Sequence, residues 1–172
     1  MNWRCEKRAP NRLNSLNINS AEGFTLVEVL VTTLVISAGL IGFASLQLQA
    51  MRLTQESDLR SRAVSYAYDI SDRIRANPGA AISGDYDGAP GASTTNCVSS
   101  SCNTGEMADY DQNAWKTLLD QLPSGAGAVT NNAGGSFTIT VRWDEKRSGA
   151  TGTSCPPAAD TDLRCYQLNL TL

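Results

Sequence analysis

The chain has 172 residues, a net charge of −3 and a hydrophobic content of 41%, which allows one modest domain and one unusually apolar segment. The acidic balance argues against nucleic acid as the main partner, because phosphate binding needs clustered lysine and arginine. Histidine is absent, which excludes Ser-His-Asp and Cys-His catalysis and removes the commonest transition-metal ligand.

The N-terminal part consists of a basic leader, residues 1–23, and an apolar segment, residues 24–46. The apolar segment has no lysine or arginine, and its length suffices to cross a hydrocarbon core of about 30 Å. It is too long for the apolar part of a secretory signal, which is typically about 7–15 residues. Because the basic residues precede it, we expect a single-pass protein of the bacterial inner membrane with a cytoplasmic N-terminus and a periplasmic head.

The apolar segment contains one acid, Glu28, and a carboxylate inside a membrane usually has a partner. Cleavage after Gly23 would give Phe24 a free, positively charged amine about one helical turn from Glu28. The two charges could neutralise each other within one chain. Between staggered chains, Glu28 could instead pair with the amine of a neighbour and set the axial register. The alternative is a carboxylate that reaches the membrane surface and needs no partner.

The junction between leader and apolar segment reads Gly23-Phe24-Thr25-Leu26-Val27-Glu28. Followed by an apolar run, it resembles the processing motif of type IV prepilins and type II secretion pseudopilins. The resemblance implies cleavage between Gly23 and Phe24 by a prepilin peptidase, followed by N-methylation of Phe24. It also implies that Glu28 is the acid that these families use for recruitment and register.

A helical pattern continues beyond the membrane, and we expect one long helix over residues 24–76. An apolar stripe recurs at steps of three and four, at Leu59, Ala63, Ala67, Ile70 and Ile74. Opposite charges lie four residues apart in the pairs Arg52/Glu56, Asp58/Arg62 and Asp69/Arg73. Asn77-Pro78-Gly79 then predicts the end of the helix.

Residues 65–78 read SYAYDISDRIRANP and are similar to a stretch of the PilV class of minor pilins, also called type IV pilus modification proteins. The resemblance implies a pilin-like α+β fold. It also implies a structural subunit that joins other minor pilins to prime pilus assembly and supports twitching motility and adhesion. The implied partners are minor and major pilins, the prepilin peptidase and the inner-membrane assembly platform. The implied location after assembly is the pilus, at its tip. Gly39 and Gly42 either permit close helix packing or local unwinding in a filament, or are simply tolerated in a membrane span.

The head, residues 77–172, is expected to be a small antiparallel sheet lying on the stripe of the long helix. Residues 79–110 read as loop-rich, and residues 113–122 as a short helix. Alternating apolar residues predict strands over residues 136–144 and 163–172, with a weaker strand over 126–130.

Four cysteines lie in the head, at Cys97, Cys102, Cys155 and Cys165, and Cys5 lies in the leader. An even number in a small domain predicts two disulfides and an oxidising compartment. Proximity favours Cys97–Cys102 and Cys155–Cys165, whereas bridges between distant loops would close longer loops and stabilise more. Free thiols and a four-cysteine zinc site are the alternatives, but the spacing suits zinc poorly.

Paired acids at Asp85/Asp87 and Asp109/Asp111 raise the possibility of calcium, but neither pair continues to the bidentate glutamate of a calcium loop. Aspartate and glycine together more often form turns. We therefore expect no cofactor and no enzymatic activity. The alternatives to a minor pilin are a type II secretion pseudopilin and a membrane-anchored periplasmic binding protein.

Overall fold

The computed structural model describes residues 23–132 and 134–172, so that nearly all of the leader, with Cys5, lies outside the described residues. Within these ranges, three helices precede three strands: α1 (Leu26–Ala76), α2 (Pro78–Ser83), α3 (Thr104–Leu119), β1 (Ala126–Asn131), β2 (Ser136–Trp143) and β3 (Arg164–Thr171). The chain divides into two compact units, Met1–Ser45 and Leu46–Leu172, and α1 contributes to both.

In the first unit, α1 begins with a side-chain cap. The hydroxyl of Thr25 accepts a hydrogen bond from the backbone N–H of Glu28 at 3.2 Å, which satisfies one of the free donors of the first turn. Polar side chains further along bond back to the helix itself, as where Thr32 donates to the Val29 carbonyl and Thr33 to the Leu30 carbonyl, each at 2.9 Å. This part of α1 therefore leaves few polar groups that need water.

In the second unit, the predicted apolar stripe of α1 is confirmed. Ala63, Ala67, Ile70 and Ile74 are fully buried in the core, and Leu59 packs against it. The ion pairs Asp58–Arg62 and Asp69–Arg73 form at 3.0 and 2.8 Å. The predicted Arg52–Glu56 pair is not formed among the residues that the structure describes.

The three strands form one antiparallel sheet in the order β1-β2-β3. Ile139, at the centre of β2, lies opposite Val129 of β1 and Leu168 of β3. The alternation predicted for β2 is confirmed, because its apolar side chains are all buried: Phe137, Ile139, Val141 and Trp143. The expected α+β fold, in which a long N-terminal helix packs on a small antiparallel sheet, is therefore confirmed.

The head helix differs from the sequence-based expectation, because α3 starts at Thr104 and not at residue 113, inside the region read as loop. The Asn103 side chain accepts from the N–H of Glu106 at 2.9 Å, and the Glu106 carboxylate accepts from the N–H of Asn103 at 2.9 Å. This reciprocal capping box starts the helix over polar residues that show little apolar periodicity. The short helix α2 was also missed, because Pro78, read as a stop for α1, occupies the first turn of α2.

The position of α3 under the sheet depends on a glycine. Trp115 is fully buried, and a Cβ atom at Gly127 of β1 would lie 2.5 Å from its ring carbon Cη2. The indole N–H donates to the Tyr66 carbonyl of α1 at 3.0 Å. Trp115 thus joins α1, α3 and β1 because residue 127 has no side chain.

We expect Ile70→Ala to lower the free energy of unfolding by about 2–5 kcal/mol, because it leaves a cavity where α1 meets the sheet. Ile82→Ala is the matched control, since Ile82 of α2 is 70% exposed and should change stability by no more than about 0.5 kcal/mol. Denaturant unfolding of the full chain in detergent, followed by tryptophan fluorescence, measures both. Equal effects of the two substitutions would contradict the packing described here.

Candidate functional site

The predicted cleavage junction is open to solvent. Phe24 is 81% exposed, and a Cβ atom at Gly23 would meet no atom of the described residues within 4 Å. The backbone of Gly23 is also outside the left-handed region that favours glycine. Nothing in the described chain therefore requires glycine at position 23.

Glu28 lies in the first turn of α1, where the positive end of the helix dipole favours an acid. Its side chain is exposed, and no cation of the described residues lies within ion-pair distance of its carboxylate. The structure thus supplies a capping environment for Glu28 but no charged partner within residues 23–132 and 134–172.

The apolar side chains that follow are exposed on every side of α1, and we call those between Phe24 and Leu53 the assembly surface. Its most apolar window has a mean hydropathy of 2.2 and no buried residue, and the helix is long and apolar enough to cross a membrane. Gly39 and Gly42 meet no atom within 4 Å at the position of a Cβ. The large exposed members are Phe24, Leu26, Val27, Val29, Leu30, Val31, Leu34, Val35, Ile36, Leu40, Ile41, Phe43, Leu46, Leu48, Met51 and Leu53.

A polar cluster lies at the C-terminal end of α1, and three of its residues belong to the stretch 65–78 described above. Asp69, Arg73 and Asn77 recur every fourth residue and so share one face of the helix. The Arg73 guanidinium bonds Asp69 at 2.8 Å and reaches Asp111 of α3 at 2.9 Å. Asp111 also accepts from the Tyr86 hydroxyl at 2.6 Å.

The same cluster holds the start of α3. The Asn77 side-chain amide donates to the Thr104 carbonyl at 2.7 Å and to the Tyr86 hydroxyl at 3.3 Å. Burial, and the hydrogen bond to Asp111, raise the pKa of Tyr86, which keeps its hydroxyl a donor. Burial opposes the charge of Arg73, but its bonds to Asp69 and Asp111 outweigh this and raise its pKa. The polar cluster therefore fastens the end of α1 to α3 and to Tyr86, which follows α2, a structural role that sequence similarity did not reveal.

Two of the four acids that raised the possibility of calcium are tied into the fold by hydrogen bonds. Asp111 belongs to the polar cluster, and Asp87 accepts from the backbone N–H of Asn131 at 3.0 Å. Within the part of the chain that the structure describes, no group of three or more His, Cys, Asp or Glu side chains could hold a metal ion.

The head contains two disulfides, Cys97–Cys102 and Cys155–Cys165. This is the pairing that proximity in the sequence favours. The first closes the loop before α3, and the second ties the β2–β3 connection to the start of β3.

We expect Asp111→Asn to lower the free energy of unfolding by about 1–3 kcal/mol, because Arg73 and Tyr86 lose a charged acceptor. Asp109→Asn makes the same chemical change at an exposed position of α3 and should alter stability by no more than about 0.5 kcal/mol. Thermal unfolding of the two variants in the same detergent measures the difference. Equal melting temperatures would show that the polar cluster does not hold the head on α1.

Comparison with known proteins supports a type IV pilin. Residues 45–113 match the family model Tt1218-like, described as type IV pilin Tt1218. The matched residues contain the packed stripe of α1, α2 and the whole polar cluster, but not the junction at Gly23. Searches of curated proteins and of solved structures gave no match.

Proposed function

We propose that the chain is a minor pilin of the PilV class, a structural subunit that joins other minor pilins to prime type IV pilus assembly. Through assembly it supports pilus-dependent motility and adhesion. The observation that carries the proposal is the assembly surface, an uncovered apolar helix that contains one acid. It belongs to the same chain as the region similar to a type IV pilin family.

Processing at the junction is the first step of the proposed function. A prepilin peptidase cleaves between Gly23 and Phe24, and Phe24 is then N-methylated. The exposure of Phe24 supports this step. The absence of any steric need for glycine within the described residues supports it too, because the requirement then lies in the enzyme that reads the site.

Glu28 acts once cleavage has created a cation. The new amine at Phe24 of one subunit pairs with Glu28 of its neighbour, and the pair sets the axial register between apolar helices. The exposed carboxylate supports this role, since it lacks a cation among the described residues. An unpaired carboxylate in hydrocarbon costs a few kcal/mol, so that a subunit in the wrong register is disfavoured.

The proposed location changes during assembly. The protein begins as a single-pass protein of the inner membrane, with a cytoplasmic N-terminus and a periplasmic head that contains the two disulfides. It then leaves the membrane with other minor and major pilins, through the inner-membrane assembly platform, and takes a place in the pilus, at its tip. The apolar character of α1 supports the anchor, and the disulfides suit an oxidising periplasm.

Glu28→Ala tests the register role. We expect the variant to be cleaved normally but to fall more than roughly tenfold in sheared pili, because it lacks a charge-assisted bond worth about 1.5–3 kcal/mol. Quantitative immunoblotting of the membrane and pilus fractions measures both steps.

Thr25→Ala is the matched control for helix capping. It removes the hydroxyl that accepts from the N–H of Glu28 and keeps the carboxylate. If register decides incorporation, Thr25→Ala should enter pili nearly as well as the unaltered protein. Incorporation of Glu28→Ala at the unaltered level would refute the register role, and equal losses in the two variants would assign the effect to capping.

A further inference from the structure

The two edges of the sheet differ in whether their outward-directed backbone groups have hydrogen-bond partners. The N–H of Leu172 donates to the Gly135 carbonyl at 2.9 Å, which identifies these residues, one step beyond the Ser136–Thr171 pair of β2 and β3, as a hydrogen-bonded pair. Because bonding alternates along an antiparallel ladder, the intervening residues of β3 direct their N–H and C=O groups away from β2. They are Cys165, Gln167, Asn169 and Thr171.

The edge of β1 is covered. Val129 exchanges two backbone hydrogen bonds with Gly88, at 2.7 and 2.8 Å, and the N–H of Asn131 donates to Asp87. In the described ranges, the four outward-directed residues of β3 have no backbone partner on their open side. This row of unpaired groups is what an incoming strand needs.

The open edge also lacks the devices that usually protect an edge strand. Residues 165–172 carry no charge and no proline, whereas protected edges commonly use lysine, proline or a covering loop. Tyr166 and Leu168 pack against the core but are only half-buried, because no strand formed by residues 23–132 or 134–172 lies beyond them. The edge therefore offers four backbone donor–acceptor positions beside a partly open apolar surface.

We propose that the open edge of β3 receives an uncharged, extended segment of a different protein by strand addition. Backbone hydrogen bonds to Gln167 and Asn169 hold the segment. Alternate apolar side chains of the segment cover Tyr166 and Leu168, and its other side chains are neutral and polar, matching the uncharged residues 165–172.

A second copy of this chain does not fit the edge symmetrically. Pairing of two β3 strands in antiparallel fashion requires a twofold axis normal to the sheet. Since the C-terminal part of α1 packs on one face of the sheet, that axis would place this part of α1 antiparallel in the two copies. The choice of a different protein thus rests on the proposed function, in which all subunits enter one membrane from the same side. Residues 1–22 are not the occupant either, because the proposed topology leaves them in the cytoplasm.

Site-specific photo-crosslinking of the full chain in pilus-forming cells tests the proposal. We expect a photoreactive residue at Asn169 to give an adduct with a different protein, mapped by mass spectrometry to one uncharged segment. The same residue at Thr130 is the control, because Thr130 is exposed on β1, whose edge is covered. Adducts at both positions, an adduct between two copies, or attachment to a charged or helical segment would overturn the proposal.

A second arm tests the backbone bond itself. Gln167→Pro removes an outward N–H and leaves the bonds to β2 intact, whereas Gln167→Ala keeps that N–H. The adduct at Asn169 should fall roughly fivefold in the proline variant and persist in the alanine variant. If Gln167→Pro lowers the melting temperature, Gln167→Lys replaces it, since a charge at the edge should exclude the segment equally well.

The outcomes separate this proposal from the function on which it rests. Strand addition alone would be refuted if the chain is processed and enters pili but gives no adduct at Asn169. The same holds if the adduct forms in equal amount in the Gln167→Pro and Gln167→Lys variants. A chain that retains residues 1–23 and still forms the mapped adduct would refute the pilin function and leave strand addition standing.

Discussion

The packing of one narrow stripe of α1 against the sheet is the interaction on which the head depends. The buried members, Ala63, Ala67, Ile70 and Ile74, belong to the same apolar core as buried side chains of all three strands. A three-stranded sheet of this size has little core of its own and is marginal alone. The helix supplies the missing layer, and the two disulfides and the polar cluster around Arg73 then hold the loops and α3 in place.

The same helix has the opposite character towards its N-terminus, where apolar side chains cover its whole circumference and none is buried. Exposed apolar surface on this scale is unfavourable in water and indicates a membrane or a set of partner helices. One part of α1 is apolar on all sides and the other packs in the head. This combination suits the proposed subunit, whose apolar part contacts lipid first and neighbouring subunits later. The match to a type IV pilin family over residues 45–113 agrees with this account, and it covers the packed stripe of α1 and the polar cluster.

The sequence predicted the elements whose periodicity is strong. The stripe of α1 and the alternation of β2 follow from local patterns that repeat over several turns or pairs, and the end of α1 at Ala76 follows from Asn77-Pro78-Gly79. The start of α3 escaped prediction, because a capping box at Asn103 and Glu106 begins it over polar residues. The contacts of Arg73 with Asp111 and of Tyr86 with Asp111 join residues 38 and 25 positions apart, and no local pattern encodes such separations.

At the candidate site, the sequence predicted roles for Gly23, Phe24 and Glu28 from their order at the start of an apolar run. The structure adds their exposure and the cap from Thr25, but a single chain before cleavage contains neither the new amine nor the neighbour that Glu28 is proposed to meet. Conversely, the similarity of residues 65–78 to minor pilins suggested a class of protein, and only the three-dimensional contacts revealed that Asp69, Arg73 and Asn77 fasten the head.

The central proposal is that cleavage after Gly23 makes Phe24, at the start of the assembly surface, the N-terminal residue of a processed pilin. Intact-mass and fragment mass spectrometry of the protein, taken from membranes and from sheared pili, tests this most directly. The account predicts a chain that begins at N-methylated Phe24, lacks residues 1–23 and contains both disulfides, present in the two fractions. A chain that keeps Met1 to Gly23, or one with an unmethylated terminus that never leaves the membrane fraction in piliated cells, would contradict it.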